Sequence, residues 1–227
     1  MKRALLIMAL VAFGVMASQA PAFSGTIDLV TNGDFSLGIS NWTTFHYTGG
    51  AGIWGNPSVS ASGGVLYWMM SASGSDGNAT GAYQMLNAAV SGYSSLLLQT
   101  RISPIYQNLS SPSASEYPAN IQVDYVDLGN VARSYRHAFY YSGSAGSIGT
   151  YVQSGTWYDY QLDLFSVPGG MKSLSDVQVF GNGWDYQGKV DYVKVLATSS
   201  DVVPEPATMS LLGLGLAGLV ARKRRVR

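Results

Sequence analysis

Trp157-Tyr-Asp-Tyr-Gln-Leu-Asp-Leu164 alternates without a break: Tyr158, Tyr160, Leu162 and Leu164 on one side, Asp159, Gln161 and Asp163 on the other. Successive side chains of a β-strand point to opposite faces, so this segment reads as a strand with one face in a core and one in water. Ile121, Val123 and Tyr125 alternate in the same way with Gln122 and Asp124, and Gly129-Asn130 places a turn before the next run. Working outward, the candidate strands are 26–31, 42–48, 64–71, 80–87, 93–102, 119–127, 133–142, 147–154, 156–164, 175–181 and 187–196. Each is a short run rich in Val, Ile, Tyr, Trp and Thr, bounded by Gly, Ser, Asn or Pro. No window of about 11 residues in this region keeps an apolar stripe at helical spacing. The longest expected loop is Asn108 to Pro118, rich in Ser and Pro. Short strands at this spacing predict an all-β, two-sheet antiparallel sandwich over residues 25–200.

Both ends of the chain differ from this pattern. Met1-Lys2-Arg3, an apolar run from Ala4 to Met16 and the small residues Ala17, Ser18, Ala20 and Ala22 have the three regions of a secretory signal peptide, expected over residues 1–24 and removed by signal peptidase. A retained N-terminal anchor is the rival reading. At the other end, residues 201–227 carry Pro204-Glu205-Pro206, an uncharged run from Ala207 to Ala221, and a basic end that includes Arg222, Lys223, Arg224 and Arg225. The two prolines fix φ and lack amide donors, which keeps the box extended and open to a protease. Fifteen helical residues rise ~22 Å, short of the ~30 Å hydrocarbon layer. The long Arg and Lys stems that follow can snorkel, and a bilayer thins around a short span, so a transmembrane helix over 207–221 is expected, with its basic end cytoplasmic.

Between Gly25 and Val203, six basic residues face twelve acids, a net charge of −6 that the formal zero of the whole chain conceals. An acidic domain disfavours nucleic acid and anionic membrane surfaces, which need basic patches. It suits neutral polysaccharide or divalent cations. Without cysteine, an exported domain relies on burial and hydrogen bonds rather than disulfides. About 180 residues holding all five Trp and all fifteen Tyr suffice for one sizeable core.

Two resemblances follow from these motifs. The box, apolar helix and Arg-rich end, in that order, resemble the PEP-CTERM sorting signal of exopolysaccharide-producing Gram-negative bacteria. The resemblance implies export, transient anchoring in the inner membrane, cutting near the box by an exosortase, and release to the cell surface or extracellular matrix. The opening Leu29-Val-Thr-Asn-Gly-Asp-Phe-Ser-Leu-Gly-Ile-Ser-Asn-Trp42 and the closing Gly188-Lys-Val-Asp-Tyr-Val-Lys-Val195 resemble the two ends of jelly-roll carbohydrate-binding modules and related galactose-binding-like domains. In that family an acid of the opening box helps to bind a structural calcium, and here that position is Ser36. The resemblance therefore leaves Asp34 and Asp191 as the candidate calcium ligands. Asp191 shares strand parity with Val193 and Val195 and is expected on the core side. The plainer reading is a carboxylate that accepts backbone amides.

The rings proposed for sugar stacking are Trp54, Trp68, Trp184 and Tyr186, with Trp54 and Trp184 in Gly-rich loops where a large ring has little local reason to be buried. Core packing is the plainer reading for any one of them, and it is expected for Trp42 and Trp157. No catalytic pattern stands out. Glu116 is the domain's one Glu, so the Glu pair of a glycosidase is absent. Ala145-Gly-Ser147-Ile-Gly149 misses the first Gly of a nucleophile elbow, and His46 and His137 lack metal-ligand spacing. The expectation is a non-enzyme: a carbohydrate-binding module of the matrix, or a structural, adhesive surface protein with protein partners.

Overall fold

A computed structural model describes residues 25–47, 55–72, 78–108, 116–142 and 148–199. The expected signal segment, Trp54, most of the 108–118 loop and the whole sorting tail lie outside these residues. Twelve strands are described: β1 (Thr26–Asp28), β2 (Thr43–Tyr47), β3 (Gly55–Ser62), β4 (Val65–Ala72), β5 (Asn78–Ala89), β6 (Tyr93–Asn108), β7 (Tyr117–Val126), β8 (Ala132–Tyr140), β9 (Gly149–Tyr151), β10 (Tyr158–Asp163), β11 (Ser173–Gly183) and β12 (Asp185–Ser199). The first sheet has the order β10-β6-β12-β4-β3, with β1 also on β12; the second runs β2-β5-β11-β7-β8-β9. From β4 to β7 the chain changes sheet at every step, and it does so again from β10 to β12. This winding is that of a jelly roll, and it brings the ends together, Thr26 opposite Thr198 and Asp28 opposite Leu196. One pair departs from the antiparallel expectation, since β9 runs parallel to β8.

The core is what alternation requires. Leu66, Trp68 and Met70 of β4 and Val190, Val193 and Val195 of β12 meet Ile121, Val123 and Tyr125 of β7 and Val177 and Val179 of β11, all buried. β10 keeps its expected two faces, with Tyr160 stacked on His137 at 4.5 Å and Asp159 exposed. Trp42 is buried as expected, its Nε1 donating to Asn32 O at 3.2 Å.

β3 has no counterpart among the expected strands. Its serines face outward opposite Met69 and Tyr67 while Val59 packs inward, and Pro57 is tolerated because β3 is an edge strand. Gly63 (φ 60°) and Gly64 (φ 78°) form the two-residue turn that joins it to β4, a conformation open to glycine at little cost.

Two expectations about orientation are corrected. Val190 and Val193 are both fully buried although three residues apart, which strict alternation forbids. One extra residue is therefore taken up at Asp191-Tyr192, in the manner of a β-bulge, and both side chains turn outward. Asp191 Oδ2 lies 3.5 Å from Arg101 Nη1, and Tyr192 Oη donates to Asp159 Oδ1 at 3.3 Å. The second correction is Trp157. It is half-buried on the outer face, with Lys189 Nζ 4.5 Å and the Arg101 guanidinium 5.7 Å from its ring centre.

The β7–β8 turn is closed by Asp127, whose Oδ1 accepts the Val131 amide at 2.8 Å and whose Oδ2 accepts from Arg133 Nε. The amide and the guanidinium hold its carboxyl below the ordinary range. A depressed folded-state pKa means that this stabilisation is present above the unfolded value of about 4 and is lost as pH falls through the folded one. Asp127→Asn is expected to flatten the pH dependence of unfolding free energy below about pH 4. Urea titrations across that range provide the check.

Candidate functional site

Strand register lines up three rows of side chains across the outer face of the second sheet. Phe45, Gly81, Phe180, Asn120 and Ala138 form the first; Thr43, Tyr83, Gln178, Gln122 and Arg136 the second; Met85, Asp176, Asp124 and Ser134 the third. Their neighbours along each strand, such as Ala82, Val177, Val179, Ile121 and Val123, are the core set, so these rows face away from it.

One part of this face is aromatic. Gly81 has no side chain to separate the flanking strands, and Phe45 and Phe180 meet across it with centroids 6.0 Å apart at 59°. Tyr83 is 6.3 Å from Phe45, and Met85 stands exposed beyond it. The adjoining part is polar. Gln178 Nε2 donates to Asp124 Oδ2 and to Asp176 Oδ1, both at 2.9 Å, and Gln122 Nε2 donates to Asp124 Oδ1 at 2.9 Å. Burial, with the Asp124 charge adding to it, raises the Asp176 carboxyl above the ordinary range; the Gln178 bond opposes the shift. Arg136 lies over the Tyr117 ring at 5.7 Å, and Tyr117, Ala138, Tyr140 and Ile148 form a small separate apolar cluster at the far side.

Aromatic faces next to fixed carboxylates and amides suit a ligand with apolar CH faces and many hydroxyls: rings for dispersion contact, carboxylates to accept hydroxyl protons. Asp124 and Asp176 are adjacent in one row and share one amide donor, Gln178.

The structure places the sequence-predicted residues elsewhere. Trp68 is 1% exposed and donates from Nε1 to Pro118 O at 2.8 Å, and Tyr186 is likewise 1% exposed, with its hydroxyl 3.4 Å from Asn78 O. Both rings are core, so neither offers a face to a sugar. Trp184 is half-buried just after β11, its Nε1 enclosed and, among the described residues, without a hydrogen-bond partner. Trp54, Pro204, Glu205, Pro206 and the basic residues Arg222 to Arg225 lie outside the described residues.

The two candidate calcium ligands are engaged separately. Asp34 is exposed and accepts from the Ser36 amide at 3.2 Å and the Ser36 hydroxyl at 2.9 Å, which lowers its pKa, while Asp191 pairs with Arg101. Calcium takes ~6–8 oxygens, and among the described residues no cluster of three or more His, Asp or Glu is formed. The two carboxylates thus have different partners, the Ser36 turn for Asp34 and Arg101 for Asp191. Asp28 joins the chain ends instead, its Oδ1 accepting both Val30 N and Val195 N at 3.0 Å.

Known proteins add two findings. Solved structures similar to this chain include a family 11 carbohydrate-binding module of the cellulosomal cellulase Lic26A-Cel5E of Clostridium thermocellum, with 13% identity over 79% of this chain and 97% of that one, TM-score 0.42. Others are a family 16 carbohydrate-binding module (15% identity, 74% and 98% covered, TM-score 0.41) and TmCBM61 in complex with β-1,4-galactotriose (11%, 74% and 97%, TM-score 0.40). These are likenesses of fold. No relative is found among the curated proteins. Residues 202–225 match the PEP-CTERM protein-sorting motif, so the chain carries an address for export and for exosortase-mediated placement at the cell surface or outside the cell.

Proposed function

We propose that the exported protein binds polysaccharide of the extracellular matrix without cleaving it, on the outer face of β2, β5, β11, β7 and β8. The supporting observation is the adjacency of the part-exposed rings Phe45 and Tyr83, backed by the buried Phe180, and the Gln122–Asp124–Gln178–Asp176 ladder on the outer side of one sheet. Asp124 and Asp176 favour a neutral, hydroxyl-rich chain over an anionic one. The sorting motif, which directs the domain to the cell surface or beyond, supports this reading. A structural calcium forms no part of this reading.

Calorimetry of the purified protein against matrix polysaccharide tests it. Tyr83→Ala is expected to remove about 0.5–1.5 kcal/mol of binding, up to about tenfold in affinity. Gln178→Ala, which removes the donor that links the two carboxylates, should weaken binding at least as much, and Trp184→Ala should leave it unchanged. Chelator should change neither affinity nor melting temperature. If the wild type binds no glycan, the adhesive reading with protein partners replaces this one. Processing has its own check: mass spectrometry of the extracellular form should find a C-terminus close to Val203 or Pro206, and intact Arg227 peptides there would exclude cutting at the box.

A further inference from the structure

The outer face of the first sheet carries a shallow depression of mixed polar and apolar lining. Ser58, Met69 and Gln187 lie in one row across β3, β4 and β12, and Ser60, Tyr67 and Lys189 in the next. Between the rows is a depression of about 110 Å³, edged by the serines, Tyr67 and Gln187, with Gly188 and Trp68 beneath. Its volume is below the ~300 Å³ of the smallest ordinary ligand pockets, enough for part of one ring of a chain that otherwise lies on the surface.

The charges beside it differ from those of the opposite face. Arg101 is occupied by Asp159 at 3.8 Å and Asp191 at 3.5 Å. Lys189 lies just outside the depression, next to its lining residue Gly188 and register-paired with Tyr67; among the described residues it forms no ion pair, and its ammonium is held over the Trp157 ring. A ring-bound ammonium keeps its charge and can still bond a second partner. We propose that this depression binds an acidic sugar residue, a uronate, with its hydroxyls on the serines, Tyr67 and Gln187 and its carboxylate on Lys189. One face then takes a neutral chain and the other an acidic one, which would let a single domain join two polysaccharides.

The test titrates the purified full chain with trigalacturonate and, separately, with the neutral cellotetraose, following amide shifts by NMR. Lys189→Met keeps the stem over Trp157 and is expected to weaken trigalacturonate binding by about tenfold or more. Lys189→Arg should retain it, added salt should weaken it, and Gln178→Ala on the opposite face should leave it intact. The site is overturned if the wild type takes no trigalacturonate, if Lys189→Met binds it as well as the wild type, or if Gln178→Ala abolishes it. Binding of the neutral probe alone sinks this site and leaves the first standing. Binding of the acidic probe alone, lost in Lys189→Met, supports this site and counts against the first.

Discussion

Trp68→Ala is expected to cost about 3–5 kcal/mol of stability, the range for emptying a buried aromatic site. The ring is 1% exposed, and a Cβ added to Gly188 would stand 2.6 Å from it, so the neighbouring strand is built flush against the indole. Removal also leaves Pro118 O without its 2.8 Å donor, and an orphaned buried carbonyl costs about 1–3 kcal/mol. Against a total of about 5–15 kcal/mol, the loss is a large fraction of the whole. Urea unfolding of the two forms measures it. A variant that kept its midpoint and lost glycan binding would instead make Trp68 a ligand residue.

Gly81→Val should damage fold and site together. A Cβ at Gly81 would lie 2.1 Å from Val179 O and 2.4 Å from Phe180 Cβ, atoms of the central strand that cannot swing aside as the end of a flexible side chain can. Overpacking of this kind costs about 1–3 kcal/mol or more. Relief requires β5 and β11 to part at the point where Phe45 and Phe180 meet. Glycan affinity should therefore fall further than in Tyr83→Ala, where one ring is lost from an intact row. A stable Gly81→Val protein with wild-type affinity would show that the aromatic group is no part of the site. Melting temperature and calorimetry on the same samples separate the two effects.

The strand pattern was legible where one face is wet. Alternation placed β7 and β10, and the residues that became the polar ladder, Gln122 and Asp124, were already visible as the wet side of β7. β3 escaped because Gly, Ser and Pro are poor strand signals, although the Gly63-Gly64 pair was a hairpin cue. Asp191 was misplaced because an extra residue inverts parity, and nothing local to Val190-Asp-Tyr-Val193 announces one. Trp157 was expected inside because large rings usually are; two cations that cover it come from β6 and β12, distant in the chain.

By itself the sequence determined the class of fold, the acidic and disulfide-free character of the domain, and its destination, because each depends on local pattern or composition. Alternation, charge and the order of box, apolar run and basic end are all read along the chain. Only the tertiary structure decided the site. Phe45, Tyr83 and Phe180 belong to three strands separated by many residues, and a slip of one residue in any pairing would turn its ring to the opposite face. Register is set by packing and hydrogen bonding between distant segments, so which aromatics gather on one side of the sheet was decided by the folded chain.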